Sequence, residues 1–121
     1  ADLRAVMKGV TKYADAVGNG SNVVANVKAF TDYLFLLAEF EVQGTRSYAN
    51  QYEQNYQKQY AYYSSGNSKV MYRHSATGST AWWWLRSASS GTNLFCYVYA
   101  DGSAGSGNAR NAAALAPGFV V

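Results

Sequence analysis

Three adjacent tryptophans, Trp82-Trp83-Trp84, followed by Leu85-Arg86-Ser87, constrain this chain more than any other feature. On a strand, successive side chains point to opposite faces, so three neighbouring indoles cannot share one side. At least one face of the strand is heavily apolar, and another Trp must find a second cluster or the surface. Arg86 has two readings: its guanidinium stacks on an indole or hydrogen-bonds loop carbonyls, or it contacts a ligand directly. The 121 residues suffice for one domain able to bury such rings and are too few for two ordinary ones. Hydrophobic residues at 49% and charged residues at 14% argue against a disordered polyelectrolyte. Eleven Tyr, five Phe and three Trp exceed what so small a core needs, so some rings are expected to face a partner.

The net charge is +3, and after Glu53 the only acid is Asp101. The bases of the second half, Lys58, Lys69, Arg73, Arg86 and Arg110, are too dispersed for the basic stripe of a dedicated nucleic-acid binder. A lone Cys96 and a lone His74 leave no disulfide framework and little from which to build a transition-metal site, so neither metal nor cofactor is expected. Apolar runs such as 33–38 are far too short to span a bilayer, and no signal peptide opens the chain. Ala1 stands where Met begins a complete protein, which suggests a piece of a longer one.

Leu3, Val6, Met7 and Val10 fall at i, i+3, i+4 and i+7 behind a capping Asp2, a spacing that predicts a short amphipathic helix. Gly18-Asn19-Gly20-Ser21 marks a turn between two weakly alternating stretches, 12–17 and 23–30, able to pair as strands. Tyr33-Leu34-Phe35-Leu36-Leu37 reads as a buried central strand. Tyr52, Tyr56, Tyr60 and Tyr63 recur on one helical face, with Gly66 as the stop. Such a stripe packs amphipathic rings on a sheet, or it lines a ligand groove. Beyond Lys69, short β-like pieces at 70–74, 82–86, 95–99 and 118–121 complete a sheet. The small-residue stretches 88–93 and 100–115 carry no periodicity and read as loops pinned on that scaffold, where binding sites are found.

The catalytic inventory is thin. Glu39 and Glu41 allow a paired-carboxylate site, but no second signal accompanies them, and Glu39 reads as a capping or salt-bridging residue. Cys96, between Phe95 and Tyr97, reads as a small core residue, and nothing near it in sequence lowers its pKa. His74 beside Arg73 reads as a surface or hydrogen-bonded residue. There is no phosphate-cradling glycine motif.

Taken in order, Phe35-Leu36-Leu37-Ala38-Glu39 with Glu41-Val42, then Trp83-Trp84-Leu85-Arg86-Ser87, then Phe95-Cys96 and Ala116-Pro117-Gly118-Phe119 form a composite pattern. It resembles the ligand-binding domain of the variable proteins diversified by diversity-generating retroelements, especially those of phages and gut bacteria. The resemblance covers about residues 33–121. It implies an α+β, C-type lectin-like fold with a small antiparallel sheet, one or two helices and long irregular loops, and no required calcium. Residues 1–32 match less distinctively and read as a helix and linking strands at the junction to an upstream domain, through which the chain could form homo-oligomers. One departure is that Ser87 precedes Ala88 where the pattern commonly has Pro.

In such systems a reverse transcriptase miscopies template adenines, and variable Asn-type codons cannot become Lys, Glu, Gln, Trp or Met. The stretch 88–116 contains none of these five residues, whereas 48–60 contains four Gln, one Glu and one Lys. The resemblance implies diversified positions at Ser89, Ser90, Gly91, Thr92 and Asn93, then Tyr97 and Tyr99. It adds Ser103, Gly105, Ser106, Gly107, Asn108, Arg110, Asn111, Ala112 and Ala113. Trp83, Trp84, Arg86, Phe95, Pro117 and Phe119 are the implied scaffold, together with Val98, Gly102, Ala109 and Ala116. Tyr97 and Tyr99 share one alternation phase, opposite to Cys96 and Val98, and either contact a ligand or merely cover the sheet. Tyr set among Ser, Gly and Asn gives large contact area at low entropy cost, as in antibody paratopes.

The expectation is a non-catalytic module binding a cell-surface protein or glycan from a phage tail or bacterial envelope. Tyr97, Tyr99 and Arg110 are its expected anchors, with Asn93, Asn108 and Asn111 as adaptable hydrogen-bonding groups. The alternative is a structural tail or envelope module whose loops pack on neighbouring subunits. An enzyme reading follows from formylglycine-generating oxidases, which share the lectin-like fold, but these use paired cysteines and only Cys96 is present.

Overall fold

Alternating residues on either side of the Gly18 turn meet as expected. In the computed structural model, strands β1 (Val10–Asp15) and β2 (Val27–Asp32) pair antiparallel, from Val10 opposite Asp32 to Asp15 opposite Val27. The structure describes residues 2–18, 22–73 and 76–121, with backbone only at 76–78. The Asn19-Gly20-Ser21 part of the turn, and His74, lie outside the described residues. Asp15 ends β1 by accepting the Val17 and Gly18 N–H groups on Oδ1.

The expected opening helix is not formed. Only a 3-10 turn, Leu3–Ala5, follows Asp2, which does cap it by accepting the Arg4 N–H. Leu3 and Val6 are exposed, so a longer helix would bury nothing against the domain and has no tertiary support. The chain instead extends, and Lys8 bridges Val120 before β1 begins.

Residues 33–37 are extended but form no central strand. Tyr33 and Leu34 are exposed, Phe35 is buried, and among the described residues the segment's ladder contact is a bridge between Phe35 and Gly118. The expected terminal strand at 118–121 is reduced to the two bridges with Lys8 and Phe35.

Helix α1, Glu39–Gln43, starts where Glu41 reaches back to accept the Ala38 N–H at 2.9 Å. It ends at Gly44, whose φ of 72° is the left-handed conformation glycine adopts without penalty. Two of its final carbonyls are taken by the Gln59 carboxamide and the Tyr60 N–H.

The tyrosine periodicity does not make one helix. A 3-10 helix runs Gln51–Tyr56, the chain is extended through 57–60, and a single turn, α2, spans Ala61–Ser64 before Gly66. The break falls at Gln57, whose buried side chain donates to the Tyr13 carbonyl and to Glu53, binding this stretch to β1 rather than to its own helix axis.

Strands β3 (Met71–Arg73) and β4 (Ala76–Ala81) form an irregular hairpin. Strands β5 (Trp83–Ala88), β6 (Leu94–Val98) and β7 (Ala104–Asn108) form an antiparallel sheet in the order β5-β6-β7. Thus the expected loop 100–115 contains a strand. The core lies on one side of this sheet, where Trp83, Leu85, Cys96 and Val98 meet Val42 and Ala49. The protein is a small α+β fold with few, short helices and antiparallel sheets. Residues of β1 are hydrogen-bonded into the rest of it: the Asp15 N–H donates to Glu53, and Arg86 Nε donates to the Tyr13 carbonyl.

Candidate functional site

The alternation of β5 sends Trp83 into the core, where its Nε1 donates to the Lys69 carbonyl, and leaves Trp82 and Trp84 on the other face. There they meet Tyr97, whose ring is the hub of an aromatic cluster. Tyr97 packs edge-on against Trp82 at 4.8 Å, Trp84 at 5.7 Å and Tyr99 at 4.8 Å between ring centres. T-shaped pairs of this kind add about 0.5–1.5 kcal/mol each beyond area burial. Beneath Tyr97 lie Gly105 and Gly107 of β7. A Cβ at Gly105 would stand 2.7 Å from the ring, and one at Gly107 would stand 2.8 Å from it. The ring fills the space two absent side chains leave, which supports a strand of otherwise weak propensity.

Tyr97 is therefore not the exposed anchor expected of it: it is only 6% exposed, covered by its aromatic neighbours. Burial first, and then the adjacent Tyr99 phenol, push its hydroxyl up to about 12. Tyr99 remains exposed and available.

The other expected contact positions divide between the two ends of the sheet. Ser90, Thr92 and Asn93 are exposed at the β5–β6 turn with Gly91 half-buried, and Asn93 accepts the Ala109 N–H through its carbonyl. This joins the turn to Asn108, Arg110, Asn111, Ala112 and Ala113, which follow β7 at the same end; Arg110, Asn111 and Ala112 are exposed, and Asn108 and Ala113 are half-buried. Asn108 organises this end, its Oδ1 accepting the Arg110 N–H and its carbonyl the Asn111 N–H. Ser103 sits at the opposite end, in the β6–β7 turn, where it donates twice to Asp101 and holds that carboxyl below its usual range. Ser106 lies opposite Cys96 in the register, on the face away from Tyr97. Ser89 and Gly105 are buried and, like Tyr97, are corrected from contact positions to interior ones. Among the implied scaffold residues, Trp83 and Val98 are in the core. Trp84 and Phe95 are half-buried and the Arg86 side chain is buried against Glu41, whereas Pro117 and Phe119 are exposed. Trp84 and Phe95 border an apolar groove of about 370 Å³ with Leu36 and Leu115.

Behind the sheet lies a buried polar network. Glu39 accepts the N–H groups of Ser47, Tyr48 and Ala49, holding the loop after α1. Ser87 accepts the Glu39 N–H and donates to Glu53 at 2.7 Å. Burial raises the Glu53 carboxyl, outweighing the N–H of Asp15 and the hydroxyl of Ser87 that favour its charge. Arg86 donates to the Leu36 carbonyl and to both oxygens of Glu41, the structural role expected of it. Cys96 is fully buried as a small core residue, and burial, then the charges of Glu39 and Glu53, push its thiol well above the ordinary range. No group of three metal-ligating residues is found among the described residues, and no helix among them is long and apolar enough to cross a membrane.

Sequence reasoning passed over Trp82 as a site residue although its pairing with Trp84 was implicit in the strand period. It also missed Lys12 and Tyr60, which meet across 48 residues with Nζ 2.6 Å from the hydroxyl and carry no local motif.

Neither a curated protein nor a solved structure matches this chain. Over residues 2–121 it does match the family described as "Domain of unknown function (DUF6273)", and the chain belongs to that family.

Proposed function

We propose that this domain is a non-catalytic ligand-binding module of C-type lectin-like type, displayed on a phage tail or bacterial envelope. The carrying observation is the end of the sheet where Ser90, Thr92 and Asn93 meet Arg110, Asn111 and Ala112, joined by the Ala109–Asn93 hydrogen bond. These exposed, small or adaptable side chains stand on a scaffold stiffened by the Trp82–Trp84–Tyr97 cluster, the division between rigid frame and variable rim that recognition surfaces use. The composition of 88–116 supports diversification by adenine-directed mutagenesis at this rim. Arg110 is its charged anchor, Asn93 and Asn111 supply hydrogen bonds, and Tyr99 serves the opposite end; the partner is a cell-surface protein or glycan.

Sequencing the gene and its flanking DNA across a population tests this reading. Substitutions are expected to gather at codons 90, 92, 93 and 110–112, matched by adenines in a nearby template repeat. Substitutions spread evenly along the chain with no template overturn it.

The second reading, a structural module packing on neighbouring subunits, draws on exposed apolar residues at another place. Tyr33, Leu34, Phe119 and Val120 leave a largely uncovered surface where the first and last segments run side by side. Hydroxyl-radical footprinting of the native assembly separates the two: Tyr99 and Arg110 remaining reactive supports the binder, and their protection together with that of 33–34 and 119–120 supports the structural module.

A further inference from the structure

A second cleft, away from the rim, lies between β1 and the extended 56–61 segment. It encloses about 280 Å³, at the small end of ligand sites, which suits a single sugar-sized group. Thr11, Lys12 and Tyr13 form one wall and Tyr56 to Ala61 the other, with Glu41 and Arg86 also lining it.

The charge of this cleft is out of balance. Lys12, Arg86 and Lys58 line it against one carboxylate, Glu41. Arg86 is engaged on both Glu41 oxygens, and Lys12 reaches Glu41 only at 3.4 Å. The Lys12 ammonium is held in place by the Tyr60 hydroxyl at 2.6 Å and by the face of Phe35, its centroid 4.3 Å away. Of the three N–H donors of an ammonium, Tyr60 takes one at short range, Glu41 takes one only at 3.4 Å, and the third meets no oxygen acceptor but the face of Phe35. The Tyr60 oxygen accepts from Lys12, so its own proton is free to donate. Two donors 2.6 Å apart, one of them charged, match the two oxygens of a carboxylate.

Gln57 Oε1 is the one buried side-chain polar atom without a hydrogen-bond partner among the described residues, and Gln57 lines the cleft. Its amide orientation is fixed, because Nε2 faces two acceptors, the Tyr13 carbonyl and Glu53. Oε1 is covered by the protein itself, so the contacts open to a ligand are those of Lys12, Tyr60 and Tyr56. Tyr56, stacked on Tyr13 at 4.5 Å and half-exposed at the rim, offers an apolar ring beside the donor pair.

We propose that this cleft binds a carboxylate-bearing saccharide unit. Its carboxylate bridges the Lys12 ammonium and the Tyr60 hydroxyl, and its C–H face lies on Tyr56. The site is independent of the loop rim and of the reading given to it.

The test is a titration of the isotope-labelled protein, followed by amide chemical shifts, with methyl β-glucuronide, methyl β-glucoside and acetate as probes. The glucuronide is expected to bind saturably with shifts centred on 11–13 and 56–61, at least about tenfold more tightly than either other probe. Tyr60→Phe keeps the ring and removes the donor, and is expected to weaken the glucuronide at least about tenfold. Lys58→Ala, at an exposed position, is expected to weaken it severalfold without altering the fold, and so serves if Tyr60→Phe unfolds. Arg110→Ala is expected to change nothing. Equal binding of glucoside overturns the carboxylate assignment, equal binding of acetate overturns the saccharide assignment, and shifts confined to 90–93 and 108–112 overturn the site.

Discussion

Arg86 and Glu41 meet as a two-bond fork, Nη1 to Oε2 at 2.7 Å and Nη2 to Oε1 at 2.9 Å, with both side chains more than nine-tenths buried. The pair ties β5 to α1, and the remaining Arg86 donors tie both to β1 and to residue 36. Lys at position 86 keeps the charge and loses the fork and its two carbonyl bonds. Arg86→Lys is expected to cost about 1–3 kcal/mol in urea unfolding at neutral pH, the range for leaving buried acceptors unsatisfied while the charge pair is kept. A loss below about 1 kcal/mol would show the fork to be dispensable.

Two buried carboxyls in this network give opposite pH dependences. For Glu41, burial pushes the carboxyl up, but the Arg86 fork, the Ala38 N–H and Lys12 together hold it below its usual value. Its contribution is complete above the ordinary carboxylate range and is lost as pH falls through the lowered value. Glu53 is raised, so its charge costs stability at neutral pH, and the cost is relieved on acidification. Thermal unfolding is expected to show stability rising slightly from pH 7 towards about 5 and falling below about 4. Glu53→Gln is expected to abolish the rise while leaving the acid limb. A monotonic fall from neutrality would contradict the assignment of Glu53.

Tyr97 is the buried hub of the aromatic face of the sheet. Tyr97→Ala removes the hub of the aromatic face and uncovers Gly105 and Gly107, and is expected to cost about 3–5 kcal/mol. Tyr97→Phe keeps every ring contact and is expected to stay within about 1 kcal/mol of the parent. Chemical denaturation of both variants checks the pair, and similar losses for the two would shift the explanation from the ring to the hydroxyl.

Cys96 is fully buried with its thiol held protonated. A thiol-specific disulfide reagent at pH 8 is expected to label native protein at least about a hundredfold more slowly than protein unfolded in guanidinium, because labelling must await opening. Comparable rates would place the thiol at the surface.

What the sequence made legible were features in which local period and burial agree. The β1–β2 pairing followed from alternation across a Gly-rich turn, and the division of Trp82, Trp83 and Trp84 between two faces followed from the strand period alone. The Tyr52–Tyr63 spacing misled because i, i+4 and i+3 recurrence survives in a chain that is not helical once Gln57 bonds to β1. Strand β7 was invisible because Ala104-Gly105-Ser106-Gly107-Asn108 has no apolar signal, its support being a ring from the neighbouring strand. The buried carboxylates at 39, 41 and 53 gave no signal of burial either, since they are held by backbone amides and by residues distant in sequence such as Arg86 and Ser87.

The seating of Tyr97 on Gly105 and Gly107 also limits how this surface can change over generations. Positions 97, 99, 105 and 107 are not independent letters: a side chain gained at 107 meets the ring at 97, and one gained at 105 meets the rings at both 97 and 99, so each is tolerated only after those rings have moved or been lost. Of the sequence histories open to such a domain, those that begin by enlarging β7 are closed, so related chains should carry either an aromatic at 97 above two glycines or a small residue there beneath a decorated strand.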